Sequence, residues 1–194
     1  MTAITQEISS YLSHTVRVID SVHGLCSEIE AAKDMWISAL SNGGRVFFCG
    51  NGGSAADAQH LAAELMGRFL INREPMAAVS LTVDTSALTA IGNDYGYDKV
   101  FSRQLRGLAR PGDVLVGLST SGNSANVVGA LEAARGMGVK TIGLTGRGGG
   151  RMASLSDVLI AVDHDRTNHI QEAHIVIGHM ICAFVEAKLC SAKP

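Results

Sequence analysis

The sequence predicts an α/β fold: a parallel five-stranded sheet flanked by helices, preceded by two N-terminal helices. Three observations carry this. Five short apolar runs, at 46–49, 77–81, 114–118, 140–144 and 157–162, alternate with helical segments. No two of them are joined by a hairpin signal, which argues for parallel pairing. Two of the runs lead through Gly-rich or Ser-rich turns into helices, and ligands of such folds bind at the carboxyl edge of the sheet.

Taken in order, residues 4–42 read as helical. Ile4, Ile8, Tyr11, Leu12, Val16 and Ile19 recur at helical spacing. His23-Gly24 marks a break, and a second helix carries Leu25, Ile29, Trp36 and Leu40. Asn42-Gly43-Gly44 closes it as a C-cap. Both helices precede the strand–helix alternation, so they pack across the sheet or against a neighbouring subunit. The first strand is bounded by glycines, which suits a strand covered on both faces. Gly50, Gly52 and Gly53 permit positive φ, and Ser54 is the expected N-cap of a helix running to Arg68. That helix start favours an anion.

A loop at 72–75 leads to the second strand, 77–81, and a short helix, 84–92. Asn93-Asp94-Tyr95-Gly96-Tyr97 reads as a polar break before a helix at 97–108. Arg110-Pro111-Gly112-Asp113 is a turn into the third strand, 114–118. A helix at 125–137 ends at Gly138, ahead of the fourth strand, 140–144. A glycine loop at 146–150, a helical turn at 152–155, the fifth strand at 157–162 and a long helix at 170–189 complete the chain.

The 194 residues suffice for one α/β domain with a buried core, and 46% are hydrophobic. A formal charge of -2 supplies no electrostatic reason to expect nucleic acid. Cys26, Cys49, Cys182 and Cys190 form no CxxC pair, so reduced thiols in a cytosolic protein are expected. No apolar run reads as a membrane span and the N-terminus does not read as a signal peptide. The expectation is a soluble, cytoplasmic protein without nucleic-acid or membrane partners.

The sharper chemical signal is Ser119-Thr120-Ser121-Gly122-Asn123-Ser124. One capping serine would be an ordinary turn. Four hydroxyls, from Ser119, Thr120, Ser121 and Ser124, beside a helix N-terminus favour a phosphate held without lysine. Residues 50–55 match the GxGxxA dinucleotide pattern, but no acid ends the second strand, which ranks that role low. His60 and Glu64 lie one turn apart, and Gln171 and His179 two turns apart on the last helix. Imidazole and carboxylate suit zinc, although glutamine is an uncommon ligand. A lone His60 would read as a surface or core histidine, and His164, His169 and His174 are left unassigned. Asn93 and Asp94 fit either a turn or the orientation of sugar hydroxyls. Arg68 fits either a helix-dipole charge or a phosphate contact.

Seven segments then occur in order: Cys49-Gly-Asn-Gly-Gly-Ser54, Asp57-Ala-Gln-His60, Glu64 with Gly67-Arg68, Gly92-Asn-Asp-Tyr-Gly96, Ser119-Thr-Ser-Gly-Asn-Ser124, Leu144-Thr-Gly146, and Ile170-Gln171 with His179. Together they resemble the sugar isomerase (SIS) domain of phosphoheptose isomerases, from about Arg45 to the C-terminus. The Ser/Thr loop alone marks only the wider superfamily. The resemblance implies a flavodoxin-like sandwich in a single SIS domain, 1–194, with N-terminal helices in 1–43 and the sheet in 44–194. It implies conversion of sedoheptulose 7-phosphate to D-glycero-D-manno-heptose 7-phosphate through an enediol, for lipopolysaccharide or capsule precursors. It implies a homotetramer with sites at subunit contacts.

Carried over residue by residue, the resemblance puts phosphate on Ser119, Thr120, Ser121 and Ser124. It puts Asn51, Gly52, Gly53, Asn93 and Asp94 around the sugar, with Arg68 as the weakest transfer. His60, Glu64, Gln171 and His179 become ligands of one Zn²⁺ per subunit, with Glu64 and His179 the acid–base pair. Gln171 also falls among the substrate contacts. The alternatives are a catalytically silent SIS partner-binding protein of the replication-initiator-associating kind, a sugar-phosphate sensor, and an isomerase of another sugar phosphate. The complete His60/Glu64/Gln171/His179 set favours the enzyme.

Overall fold

The computed structural model describes residues 2–190; Met1 and residues 191–194 of the predicted domain lie outside the described residues. Helices α1 (Ala3–Ser21) and α2 (Cys26–Ser41) come first, joined by a 3-10 turn at Val22–Leu25. Then follow β1 (Val46–Gly50), α3 (Gly53–Met66), β2 (Ala78–Ser80), α4 (Thr85–Tyr95) and α5 (Val100–Leu108). The chain continues through β3 (Val114–Ser119), α6 (Ala125–Gly136), β4 (Lys140–Thr145), β5 (Val158–Ala161) and α7 (Thr167–Cys190). The strands pair in the order β2-β1-β3-β4-β5, all parallel. This is the flavodoxin-like order, whose switch point lies between β1 and β3.

Alternate side chains of the sheet feed two cores. Val46, Phe48, Val116, Leu118, Ile142 and Leu144 pack with α2, α3 and α7, where Trp36 meets Phe48 edge-on at 5.2 Å. Phe47, Cys49 and Leu115 pack with α5 and α6. Burial pushes the Cys49 and Cys182 thiols up to about 12, which leaves them inert at neutral pH. All four cysteines are free.

Helix α2 lies across the sheet, and α1 lies outside it on α7. The seam between α1 and α7 is polar. The Thr15 hydroxyl donates to Glu172 Oε2 at 3.0 Å, the Nε2 atoms of His14 and His164 are 2.8 Å apart, and His14 stacks on His169 with centroids at 4.8 Å. The α1 residues Ile4, Ile8, Leu12 and Val16 remain exposed.

Four expectations need correction. The chain turns at Gly52, with φ +56, so α3 starts at Gly53; Ser54 lies buried in its first turn and caps nothing. Neither Gly50 nor Gly53 adopts positive φ. The segment at 93–97 does not break a helix at Asn93: exposed polar residues are tolerated in a last turn, and α4 runs on to Tyr95 before Gly96, at φ +89, ends it. Finally, α7 is long and apolar enough to cross a membrane by length and composition. Ten of its residues, His169, His174 and Glu186 among them, are buried inside the protein, where it serves as a core helix.

His174 is fully buried, donating from Nε2 to the Thr145 carbonyl at 3.1 Å, while Nδ1 has no partner among the described residues. Burial lowers its pKa to about 4. The unfolded chain, with an ordinary value near ~6.5, takes up a proton that the folded state refuses. Stability conferred by this depression is therefore constant above that value and falls as pH drops from ~6.5 to about 4, by up to about 3 kcal/mol. His174→Gln, which keeps an amide donor, should flatten that part of the urea-midpoint profile. Parallel profiles for the two proteins would refute the assignment.

Candidate active site

Two loops face each other at the β1/β3 switch point. After β1, Asn51 and Asn126 exchange a reciprocal pair of amide hydrogen bonds, each 2.8 Å. Asn126, at the start of α6, is buried, and its Oδ1 also accepts from Val127 N at 3.0 Å. The Tyr97 hydroxyl donates to Asn51 Oδ1 at 3.2 Å. Asn51 is thus oriented by two residues that motif spacing did not single out. Asn126 sits two positions beyond the serine loop, a signal that was legible but unused.

After β3, the hydroxyls of Ser119 and Ser124 are 2.9 Å apart and those of Ser119 and Ser121 3.3 Å apart. Ser124 occupies the N-cap position of α6, yet its hydroxyl turns toward Ser119 instead of capping. Three hydroxyls and the free end of a helix therefore converge, which is the donor set a phosphate requires. Thr120 follows in the same loop, its carbonyl accepting from Gly146 N at 3.0 Å. The glycine loop forms the outer wall. Gly122 has φ +65, and a Cβ there would lie 2.1 Å from the Gly149 carbonyl oxygen, so only glycine lets the two loops meet.

The second group lies along the seam of α3 and α7. His60 Nε2 is 3.1 Å from Glu64 Oε1 and 2.9 Å from His179 Nε2. The ligating atoms of all three residues lie within 4.8 Å of one another. Two imidazole nitrogens and one carboxylate oxygen, partly exposed, match the donor set of a catalytic metal centre with room for substrate. The donors fit a divalent cation. Without a cation one of the two facing Nε2 atoms must carry a proton to bond the other; with both rings protonated at Nδ1 instead, both Nε2 lone pairs would be open to a cation. Gln171 sits at the other end of the seam, where its Oε1 lies 2.5 Å from the Cβ position of Gly53 and its Nε2 3.5 Å from Ser54 Oγ. Asp57 precedes His60 by one turn; its Oδ2 has no hydrogen-bond partner among the described residues, and burial, partly opposed by His60, raises its pKa to about 6. Asn93 and Asp94 pair with each other at 2.8 Å on the exposed end of α4. Arg68 is exposed just beyond α3.

Close packing sets the histidine pair. A Cβ at Gly178 would lie 2.5 Å from Leu61 Cδ2, and Leu61 is buried with nowhere to move. Gly178→Ala should therefore push α7 from α3, separate His60 from His179, and cost about 1–3 kcal/mol. Thermal melting and bound-metal content check it together; an unchanged metal content would show that the helices do not need this contact.

A model of the SIS domain matches residues 10–146. The chain is 55% identical over 186 residues to a phosphoheptose isomerase of Akkermansia muciniphila, covering 94% of this chain and 98% of that one. It is 59% identical over 163 residues to one of Rhodospirillum rubrum, covering 84% and 87%. Among solved structures, it superposes on a phosphoheptose isomerase from Neisseria gonorrhoeae with a TM-score of 0.91 at 46% identity, covering 95% and 100% of the two chains. The corresponding values for one from Francisella tularensis are 0.90, 35%, 95% and 98%. The sugar isomerase domain of a Sphaerobacter thermophilus transcription factor, at 22% identity and TM-score 0.67, shares the fold alone.

Proposed function

This chain belongs to the SIS domain family and to its phosphoheptose isomerases, and from that premise we propose that it interconverts sedoheptulose 7-phosphate and D-glycero-D-manno-heptose 7-phosphate. The observation that carries the reading is the convergence of His60 and Glu64 of α3 with His179 of α7. The three hydroxyls of Ser119, Ser121 and Ser124, with Thr120, take the phosphate. Asn51, Gly52, Gly53, Asn93 and Asp94 surround the sugar, Gln171 reaches it from α7, and Arg68 lies at the rim.

In the reaction, the Glu64 carboxylate takes a proton from C1 of the open-chain ketose and returns it to C2. His179 moves the proton that must pass between O1 and O2, so the enediol forms and collapses without net change in atoms. His60, Glu64 and His179 would hold one zinc ion per subunit, whose chemistry is to stabilise negative charge on the substrate oxygens, while Gln171, beside Gly53 and Ser54, serves the substrate. The family relationship and this site support residues 1–194 acting as a single cytoplasmic catalytic domain, its product feeding lipopolysaccharide or capsule heptose. The exposed apolar residues of α1, and an apolar groove of about 990 Å³ bordered by Ile19, Val22, Ile29, Met180 and Phe184, support self-association as a homotetramer.

Turnover of sedoheptulose 7-phosphate, with the aldose detected directly, tests the reading. Zinc-loaded protein should turn over, and chelation should abolish activity that zinc restores. A well-folded, zinc-replete protein that leaves the ketose unchanged would overturn it.

A further inference from the structure

A groove of about 650 Å³ runs between α5 and α6, away from both the serine loop and the His60 group. Lys99, Arg103 and Arg106 line it at i, i+4 and i+7, so all three project from one face of α5 and the residue before it. The Arg103 guanidinium carbon lies 3.6 Å above the centre of the Tyr95 ring. Stacking holds the planar fork in the groove's lining, and it occupies the face of the guanidinium rather than its N–H edge. No ion pair or side-chain hydrogen bond engages Arg106 among the described residues. The one carboxylate of the lining, Glu132, has Arg151 at 3.7 Å. Lys99 is shared with Asp98 at 2.8 Å. The chain as a whole is acidic, at -2, so the pairing of Arg103 and Arg106 without a carboxylate partner among the described residues is a local feature.

We propose that this groove is a second, anion-binding site that takes a small molecule bearing a diphosphate. Two guanidinium groups one turn apart, with an ammonium group a turn earlier, match two adjacent phosphates better than one. Guanidinium forks recognise phosphate oxygens bidentately, and a preorganised fork loses less freedom on binding. The site also touches the catalytic region through the chain itself. Tyr95 is the last residue of α4, directly after Asn93 and Asp94, and two residues before Tyr97, whose hydroxyl holds Asn51. A ligand that fixes Arg103 on Tyr95 would fix the helix end that carries those groups, so occupancy should alter KM for the sugar phosphate more than kcat.

The test is calorimetric titration of the full-length protein with inorganic pyrophosphate at physiological salt. Two classes of site are expected, one in the serine loop and one in the groove. Arg103→Ala/Arg106→Ala should weaken the groove class at least tenfold and leave the other intact. Both residues are exposed, so circular dichroism should report an intact fold; Arg106→Ala alone keeps the Arg103–Tyr95 stack and should leave turnover without pyrophosphate unchanged. Ser121→Ala should weaken only the serine-loop class. A single class in the unsubstituted protein, or two classes that survive the double substitution, would overturn the proposal. Neither result bears on sedoheptulose 7-phosphate turnover, which is measured separately.

Discussion

Glu64→Gln is expected to lower sedoheptulose 7-phosphate turnover by about 10²–10⁴-fold while the protein stays folded. Glutamine keeps the length and shape of the side chain but cannot take a proton from carbon. The Glu64 carboxylate is partly exposed, so its replacement disturbs no core packing. Its backbone carbonyl accepts from Arg73 Nη2 at 2.8 Å, and that bond survives the substitution. Glu64 is nevertheless assigned two roles that compete, since a carboxylate bound to a cation is a weaker base. Metal content and activity together separate them. If Glu64 acts only as a ligand, the variant should lose zinc and recover turnover when zinc is added in excess. If it is the base, excess zinc should refill the site without restoring turnover. Solvent-hydrogen exchange at C1 gives an independent readout, because the base-dependent step should slow as much as product formation. A variant with near-normal turnover would remove Glu64 from proton transfer altogether.

The parts of this molecule that depend on local pattern were legible in the sequence. Apolar runs such as 114–118 have no reason to alternate, because both faces of a parallel strand are covered; the continuous burial of β1 and β3 is the result. The His60/Glu64 pair follows from helical spacing, and the serine loop from its density of hydroxyls. Long-range partners were not legible in local pattern; the family resemblance alone brought His60 and His179 together. Nothing local links Asn51 to Asn126, 75 positions on, or places His179 against His60 across 119 positions. Those pairings come from the strand order, which puts β3 beside β1 and α7 beside α3. Ser54 shows the opposite failure. Its residue type suits an N-cap, but glycine geometry moved the turn two residues earlier, and propensity yielded to backbone conformation. Glu186 carried no signal at all, since an acidic residue near the end of a long helix ordinarily faces water.

Replacing that residue should produce a large loss of stability. Glu186 is buried, and its carboxylate accepts from the backbone N–H groups of Phe69, Leu70 and Ile71 at 3.0, 2.7 and 2.9 Å. Arg73 Nε donates a fourth bond at 2.9 Å. The same guanidinium donates to the carbonyls of Glu64 and Leu65, both at 2.8 Å, and so closes the carboxyl end of α3. One side chain of α7 therefore organises the exit of the helix that carries His60 and Glu64. Burial pushes the Glu186 pKa up, but the three N–H groups and Arg73 outweigh it and hold the carboxyl below its ordinary range. Glu186→Ala would leave the buried Arg73 guanidinium without its carboxylate and the N–H groups of Phe69, Leu70 and Ile71 without their acceptor, at a cost of about 3–5 kcal/mol, or roughly 10 °C in melting temperature. The sign with pH follows from the lowered pKa. The contribution is complete above the unfolded value of ~4.5 and is lost as pH falls through the lower folded value. Denaturant melts of the native protein and of Glu186→Gln should thus differ most near neutrality and converge in acid. Because Glu186 acts on Glu64 only through Arg73 and the end of α3, Glu186→Gln should also lose metal at temperatures where it is still folded. A variant as stable as the native protein at pH 7 would mean that water replaces the carboxylate without penalty.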